Sequence, residues 1–388
     1  MAHRGGTLPG SCLVLGLAFC VVVFTLSACG NAGRSPAAQQ SGSSNPSTTL
    51  STAPSATTTT APSATTTTAP STTTTTAPSA TTTDSLAWSQ SLALARGNIG
   101  NGATVSCPSA QFCAAGASDA VATMVNGQWS PVTAPIPGGN SAVAVSCVSA
   151  TFCGAVSYQS AFTYEDGTWT APVTIDSFYN YRNNGLIAIS CTSTDFCMAV
   201  DWSGNVFTYN GQSWTRATLV DGYTNGGNGG GTTIGGISCA SPQFCMVVDS
   251  GGNNLVYDGQ TWTNERYGTE AVSLNGVACV DSACFVIQNV GIVAKFQNGA
   301  WTQLPQIEQQ YGGGVSLDAI SCLSETRCWV GSGYGTGDAV YAWNGSKWSS
   351  GLPPLTGANG AIYSLSCPSR SLCLAGDQGG VVFTGSPQ

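Results

Sequence analysis

Paired cysteines recur along this chain at 107/113, 147/153, 191/197, 239/245, 279/284, 322/328 and 367/373, and in six of the seven copies a tryptophan follows. Successive first cysteines stand 40, 44, 48, 40, 43 and 45 residues apart, in or near the period of a four-stranded propeller blade. Each unit reads as four short antiparallel strands. The first ends at the first cysteine (AVAVSC, LIAISC, IYSLSC) and the second starts near the second cysteine (FCGAV, FCMAV, FCMVV). The third alternates apolar and polar residues (AFTY, VFTY, NLVY), and the fourth begins at the tryptophan. The predicted fold class is all-β, a seven-bladed β-propeller.

Asn-Gly or Asp-Gly joins third to fourth strand in every complete copy, from Asn126-Gly127 to Asn344-Gly345; these dipeptides accept the positive φ of tight hairpins. The distance from that glycine to the tryptophan varies between two and three residues. A second distance does not vary. A large apolar residue precedes the tryptophan by five in Met124/Trp129, Tyr164/Trp169, Tyr209/Trp214, Tyr257/Trp262, Phe296/Trp301 and Trp343/Trp348. The constant offset predicts a fixed cross-strand pair packed between neighbouring blades. The seventh copy runs out after Phe383 with no tryptophan, while Leu86-Ala87-Trp88-Ser89 precedes the first hairpin at matching spacing: 19 residues from Trp88 to Cys107, against 18 from Trp129 to Cys147. Both chain ends therefore share one blade, a ring closure that leaves no open sheet edge between first and last blades.

The cysteines admit two readings. Pairs spaced this way at adjoining strand ends suit disulfides across each hairpin, Cys107–Cys113, Cys147–Cys153, Cys191–Cys197, Cys239–Cys245, Cys279–Cys284, Cys322–Cys328 and Cys367–Cys373, in an oxidising setting. Metal binding needs two pairs brought together or added histidines, and a ring keeps its hairpins apart. The fifth copy, CVDSAC, is one residue shorter, which puts its bridge geometry in question. No metal and no cofactor is expected.

Composition narrows the chemistry. Ten Lys and Arg in 388 residues and a net charge of −8 exclude nucleic acid as a partner, since phosphate binding draws its affinity from basic residues. The single histidine is His3, inside a leader, so the mature chain holds none. Ser-His-Asp and Cys-His nucleophiles, His-ligated zinc and imidazole acid/base catalysis go with it.

An apolar run from Leu13 to Leu26 leads into Leu26-Ser27-Ala28-Cys29. It is shorter than a membrane span and flanked like a secretion signal. LSAC resembles the lipobox of bacterial lipoproteins. The resemblance implies a signal peptide over residues 1–28, lipidation of Cys29 and a palmitate-bearing anchor on the outer face of the cytoplasmic membrane; Cys12 and Cys20 leave with the leader. Residues 29–84 are a Thr/Ala/Pro/Ser-rich segment with four APSATTTT-type repeats beginning at Ala53, Ala61, Ala69 and Ala77. Such a segment cannot bury enough apolar surface to order itself. Extended at about 3.1 Å per residue, it reaches on the order of 150 Å, a stalk for the ring at 85–388.

In a propeller, the Cys hairpins and the Asn/Asp-Gly turns fall on one face, and here that set is uniform. The other face carries diverse loops, the better place for recognition. Tyr179, Tyr181, Arg182, Tyr223, Arg266, Tyr267, Tyr311 and Tyr334 are its candidate ligand-binding residues, a composition suited to polar contacts with glycan or protein. Asp201, Asp249 and Asp377 stand four residues after a second cysteine. They read either as Asx-type turns or as carboxylates for calcium or glycoside hydrolysis.

The Trp-ended repeats, as in Asp166-Gly167-Thr168-Trp169, loosely resemble the Asp-box motif of sialidase-like bacterial surface propellers over residues 86–388. Sialidases of that fold use three arginines, a Tyr–Glu pair and an acid Asp. The ring here has Arg96, Arg182, Arg216, Arg266, Arg327 and Arg370, the last two within Cys hairpins, so no triad is assigned and no catalytic residue is carried over. The resulting expectation is a monomeric, lipid-anchored binding propeller for glycan or protein at the bacterial cell envelope. A glycoside hydrolase or lyase is the alternative, and it requires carboxylates converging at the channel mouth. An assembly factor for membrane complexes would instead show a large patch on one face.

Overall fold

The computed structural model describes residues 86–94, 102–118, 120–134, 143–177, 185–215, 218–220, 232–268, 272–307, 315–333, 339–351, 355, 357–358 and 360–387. The leader, Cys29 and the stalk lie outside them. The described residues form seven antiparallel sheets and no helix. The innermost strands are Thr104–Ser109, Val143–Ser149, Leu186–Ser193, Ile234–Ser241, Leu274–Val280, Leu317–Ser324 and Ile362–Ser369, which define blades 1 to 7. Each packs against the innermost strand of the next blade, and blade 7 packs against blade 1, so the seven make a closed ring. Leu86–Ala93 pairs antiparallel with Val381–Pro387 as the outer strand of blade 7, the closure expected from Trp88.

One row of side chains crosses every blade. In blade 2, Cys147 faces Cys153, Cys153 faces Tyr164, and Tyr164 faces Trp169; residues directly opposite one another share a sheet face. The second cysteine is opposite Met124, Tyr164, Tyr209, Tyr257, Phe296 and Trp343 in blades 1 to 6. Each of these faces its tryptophan, and the aromatic pairs have centroids 5.0–5.3 Å apart. In blade 7 the row is completed from both chain ends. Cys373 faces Gly385 and Gly385 faces Trp88, whose indole lies where a Cβ on Gly385 would meet it at 2.9 Å.

The wavering turn now has a cause. Four residues always separate the apolar partner from its tryptophan, and the Asn/Asp-Gly dipeptide takes one of two places among them. In blades 1, 2 and 5 it is central, with both residues at positive φ (Asn126 49°, Gly127 80°), as a two-residue hairpin turn requires. In blades 3, 4 and 6 it comes first. The Asn or Asp side chain then caps the turn: Asp258 Oδ1 accepts from Gln260 and Thr261 N–H at 2.8 and 2.7 Å, and these bonds hold its carboxyl below the usual range. In blades 3 and 6, Trp214 and Trp348 form isolated bridges rather than the start of a strand; on the solvated rim, short outer edges also discourage edge-to-edge association.

All seven disulfides are present, with Cα–Cα distances of 3.9–4.1 Å. The short fifth copy bridges as well. The four long hairpins in which both cysteine partners are in register carry a register shift just after the first cysteine, as between Cys191 and Ser193, whereas Cys279 faces Cys284 and Val280 faces Ala283 without one. The missing residue is the bulge, and Asp281 at φ 53° closes the tighter turn.

The serine before the first cysteine is a signal that the sequence reading left unassigned. Its Oγ accepts a hydrogen bond from the backbone N–H of the first cysteine in the next blade: Cys147 to Ser106, Cys191 to Ser146, Cys239 to Ser190, Cys279 to Ser238, Cys367 to Ser321 and Cys107 to Ser366, at 2.8–3.0 Å. Blade 5 has Ala278 there, so the junction from blade 5 to blade 6 lacks this bond. Other contacts tie that junction: Lys295 Nζ and Gln297 Nε2 each reach the Glu325 carboxylate at 2.7 Å, and Asn275 Nδ2 donates to Leu317 O at 2.9 Å.

Candidate functional site: the axial cavity

A cavity of about 820 Å³ opens along the ring axis. Its walls are the halves of the innermost strands that precede the cysteines, with Tyr158, Trp202 and Ser250 from just beyond the second strands. It therefore lies at the end of the ring away from the Cys hairpins, where the diverse loops begin.

What reaches the cavity is set by a repeated irregularity. Blades 3 to 7 each hold one extra residue in the innermost strand, with register shifts between Leu186 and Ala188, Ile234 and Gly236, Leu274 and Gly276, Leu317 and Ala319, and Ile362 and Ser364. The extra residues are Ile187, Gly235, Asn275, Asp318 and Tyr363, and all five line the cavity. A bulge bends its strand and re-aims the unpaired side chain. Blades 1 and 2 lack it. At Gly235 a Cβ would come 2.2 Å from Leu274 O, so one wall stays bare backbone.

Asn275 and Asp318 meet across the junction of blades 5 and 6: Asn275 Nδ2 donates to Asp318 Oδ1 at 2.9 Å, and Ser273 Oγ donates to Asn275 Oδ1 at 3.0 Å. Tyr363 stands next in the ring, 46% exposed, its ring seated where a Cβ on Gly102 would fall 2.4 Å away. Burial within the walls, and then the charge of Asp318, push its phenol above the ordinary value. Also in the lining, at the junction of blades 2 and 3, Tyr158 is 41% exposed and held at φ 56°, unusual for a bulky residue. Its carbonyl accepts from Leu186 N–H at 2.7 Å.

Two of the eight predicted ligand residues are described, and neither lines the cavity. Arg266 Nη2 donates to Gly251 O at 2.8 Å. Tyr267 packs on Trp301 at 5.2 Å and donates to Gln303 Oε1 at 2.9 Å, which ties blade 4's exit to blade 5. Tyr179, Tyr181, Arg182, Tyr223, Tyr311 and Tyr334 lie outside the described residues, as do Arg96 and Arg216. The aspartates after the second cysteines take the turn reading. Asp249 is fully buried, with Oδ1 accepting from Gly251 and Asn253 N–H and Oδ2 from Asn253 Nδ2. Asp201 repeats the pattern with Ser203 and Asn205, and Asp377 Oδ1 accepts from Val381 N–H at 2.7 Å. Among the described residues no three metal-ligating side chains cluster, and Asp318 is the single carboxylate lining the cavity.

No family model and no curated protein matches this chain. Solved structures do. YCF48 bound to D1 peptide is 15% identical with a TM-score of 0.58, covering 78% of this chain and 95% of that one. YCF48 from Cyanidioschyzon merolae is 13% identical with a TM-score of 0.56, covering 78% and 99%. The WD40 β-propeller domain of Doa1 is 12% identical with a TM-score of 0.57, covering 78% and 98%. At these identities the likeness is one of fold.

Proposed function

We propose that this propeller is a non-enzymatic binding module, tethered outside the cell by a lipid on Cys29 and the Thr/Pro-rich segment, that takes an extended segment of a partner protein into the mouth of its axial cavity. The observation that carries this reading is the wall of that cavity: aliphatic side chains, small residues and exposed backbone, with aromatic groups at the rim and one carboxylate. Such a wall suits a peptide, whose chain meets backbone groups and whose side chains meet apolar surface. Glycoside hydrolysis needs two carboxylates about 5–10 Å apart, and the described lining offers one. A similar propeller, YCF48, has been solved with a peptide bound, which agrees with this use of the fold.

Two measurements test it. Panning a random dodecamer peptide library on the purified full chain should enrich binders that Trp202→Ala and Ile187→Arg lose, while Ser371→Arg on the hairpin face keeps them. Failure to enrich any peptide overturns the reading. Separately, Cys29→Ala should release the chain from the membrane fraction; retention would mean a different anchor.

A further inference from the structure

Resting on that reading, we infer that the bound segment adds as a strand to the inner edge of blade 5, pairing its main chain with Val277 in the space beside Gly235 and Gly236 of blade 4.

Each innermost strand stands at one end of its sheet, so one of its edges has a strand partner and the other faces the axis. Along an antiparallel strand the backbone groups alternate between the two edges. In blade 5, Val277, Ala278 and Cys279 pair with the second strand without a break, and Cys279 N–H turns inward to Ser238 Oγ of blade 4 at 2.8 Å. Val277, two residues earlier, therefore presents its N–H and C=O at the same inner edge. It lines the cavity, and no hydrogen bond from a described side chain reaches either group. Backbone donors and acceptors require partners, and an unpaired strand edge takes them from another extended chain.

Neighbouring side chains decide which inner edge stays open. Three residues before the first cysteine, Thr104 Oγ1 donates to Val143 O of blade 2 at 2.6 Å, and Ser364 Oγ donates to Ala103 O of blade 1 at 2.9 Å. In blades 1 and 7 a hydroxyl thus covers the edge of the following blade. Blade 4 has Gly236 at this place and Gly235 as its bulge residue, so neither position carries a side chain. A Cβ on Gly236 would meet nothing within 4 Å; open space, not packing, borders the edge of blade 5. Blade 5 also has a glycine, Gly276, but its bulge residue Asn275 covers Leu317 O of blade 6. Glycine within a strand suits the close approach of a second backbone. Gln288 faces the same junction. It is directly opposite Leu274, which clusters with Met246 and Val248 of blade 4; it is 1% exposed, and its Nε2 has no hydrogen-bond partner among the described residues. Buried amide donors are ordinarily satisfied, and an incoming main chain brings carbonyl acceptors into this junction.

Backbone chemistry of the ligand separates this inference from the reading beneath it. One dodecamer from the panning is made in two further forms of the same sequence, N-methylated at alternate residues in opposite phases, and each is titrated onto the full chain. Successive N–H groups of a strand point to opposite edges, so one phase should lose at least about tenfold in affinity, the scale of a lost hydrogen bond, and the other should bind within about threefold of the parent. This comparison needs no variant to fold. Gly236→Ser, which places a hydroxyl beside the blade 5 edge as Thr104 and Ser364 do in their blades, should weaken the parent peptide by about threefold to tenfold in protein whose melt is intact. Equal effects of the two phases, or a folded Gly236→Ser chain that binds as before, overturn this inference and leave the binding reading standing. Panning that yields no binder overturns both.

Discussion

Removing residues 86–93 should lower the melting temperature of the ring by roughly 10–30 °C. The deleted strand is the one partner of the outer edge of Val381–Pro387, and it carries Leu86, 3% exposed, and Trp88 into a cluster with Val381 and Phe383. Losing buried Leu and Trp side chains costs about 5–8 kcal/mol together, and in a domain of this size each kcal/mol shifts the melt by about 2–4 °C. The exposed edge should also pair with a second copy, visible as dimer by light scattering. Adding the strand back as a free peptide should restore the melt and the monomer. Trp88→Ala alone should cost about 3 kcal/mol, the indole being only partly buried. A deletion that melts within about 2 °C of the intact chain would mean that the ring does not depend on its closure.

The second large effect concerns the disulfides. The second cysteine of every pair is fully buried, so phosphine reductant added to the folded protein should break few bridges, as read by alkylation and mass. Unfolding in guanidinium with reductant should expose all seven. Each hairpin bridge contributes roughly 2 kcal/mol in the chain-entropy model; even if these add poorly, their joint loss rivals the 5–15 kcal/mol that holds a typical domain folded. The reduced chain should therefore fail to regain a cooperative melt on dilution, and reoxidation should recover it with pairs only within hairpins. A reduced chain that melts like the oxidised one would contradict this account.

Much of the ring was legible because repetition exposes what a single copy hides. The five-residue step from Tyr164 to Trp169 holds in six copies because the two are always direct partners, whereas the Asn/Asp-Gly dipeptide is free to shift within the enclosed turn. Trp88 was legible for the same reason. The cavity was less so. Its five bulge residues, Ile187, Gly235, Asn275, Asp318 and Tyr363, share no chemistry, so composition could not single them out. Spacing could have: buried Leu186 and Ile189 are three apart, as are Ile234 and Ile237, and strict alternation along a strand demands an even number. That odd step, present in LIAI, IGGI, LNGV, LDAI and IYSL, marks an extra residue. Tyr and Arg in the connecting loops are the more conspicuous binding candidates by composition, and the two of them that are described, Arg266 and Tyr267, make contacts within the turn and between blades.

The proposal that a ligand enters the axial cavity, on the face away from the cysteines, is tested most directly by amide hydrogen exchange of the full chain with and without a panned dodecamer bound. The account predicts new protection in Leu186–Ile189, Leu274–Val277, Leu317–Ile320 and Ile362–Leu365, and none in the hairpins between paired cysteines. Protection confined to those hairpins or to the outer strands would contradict it.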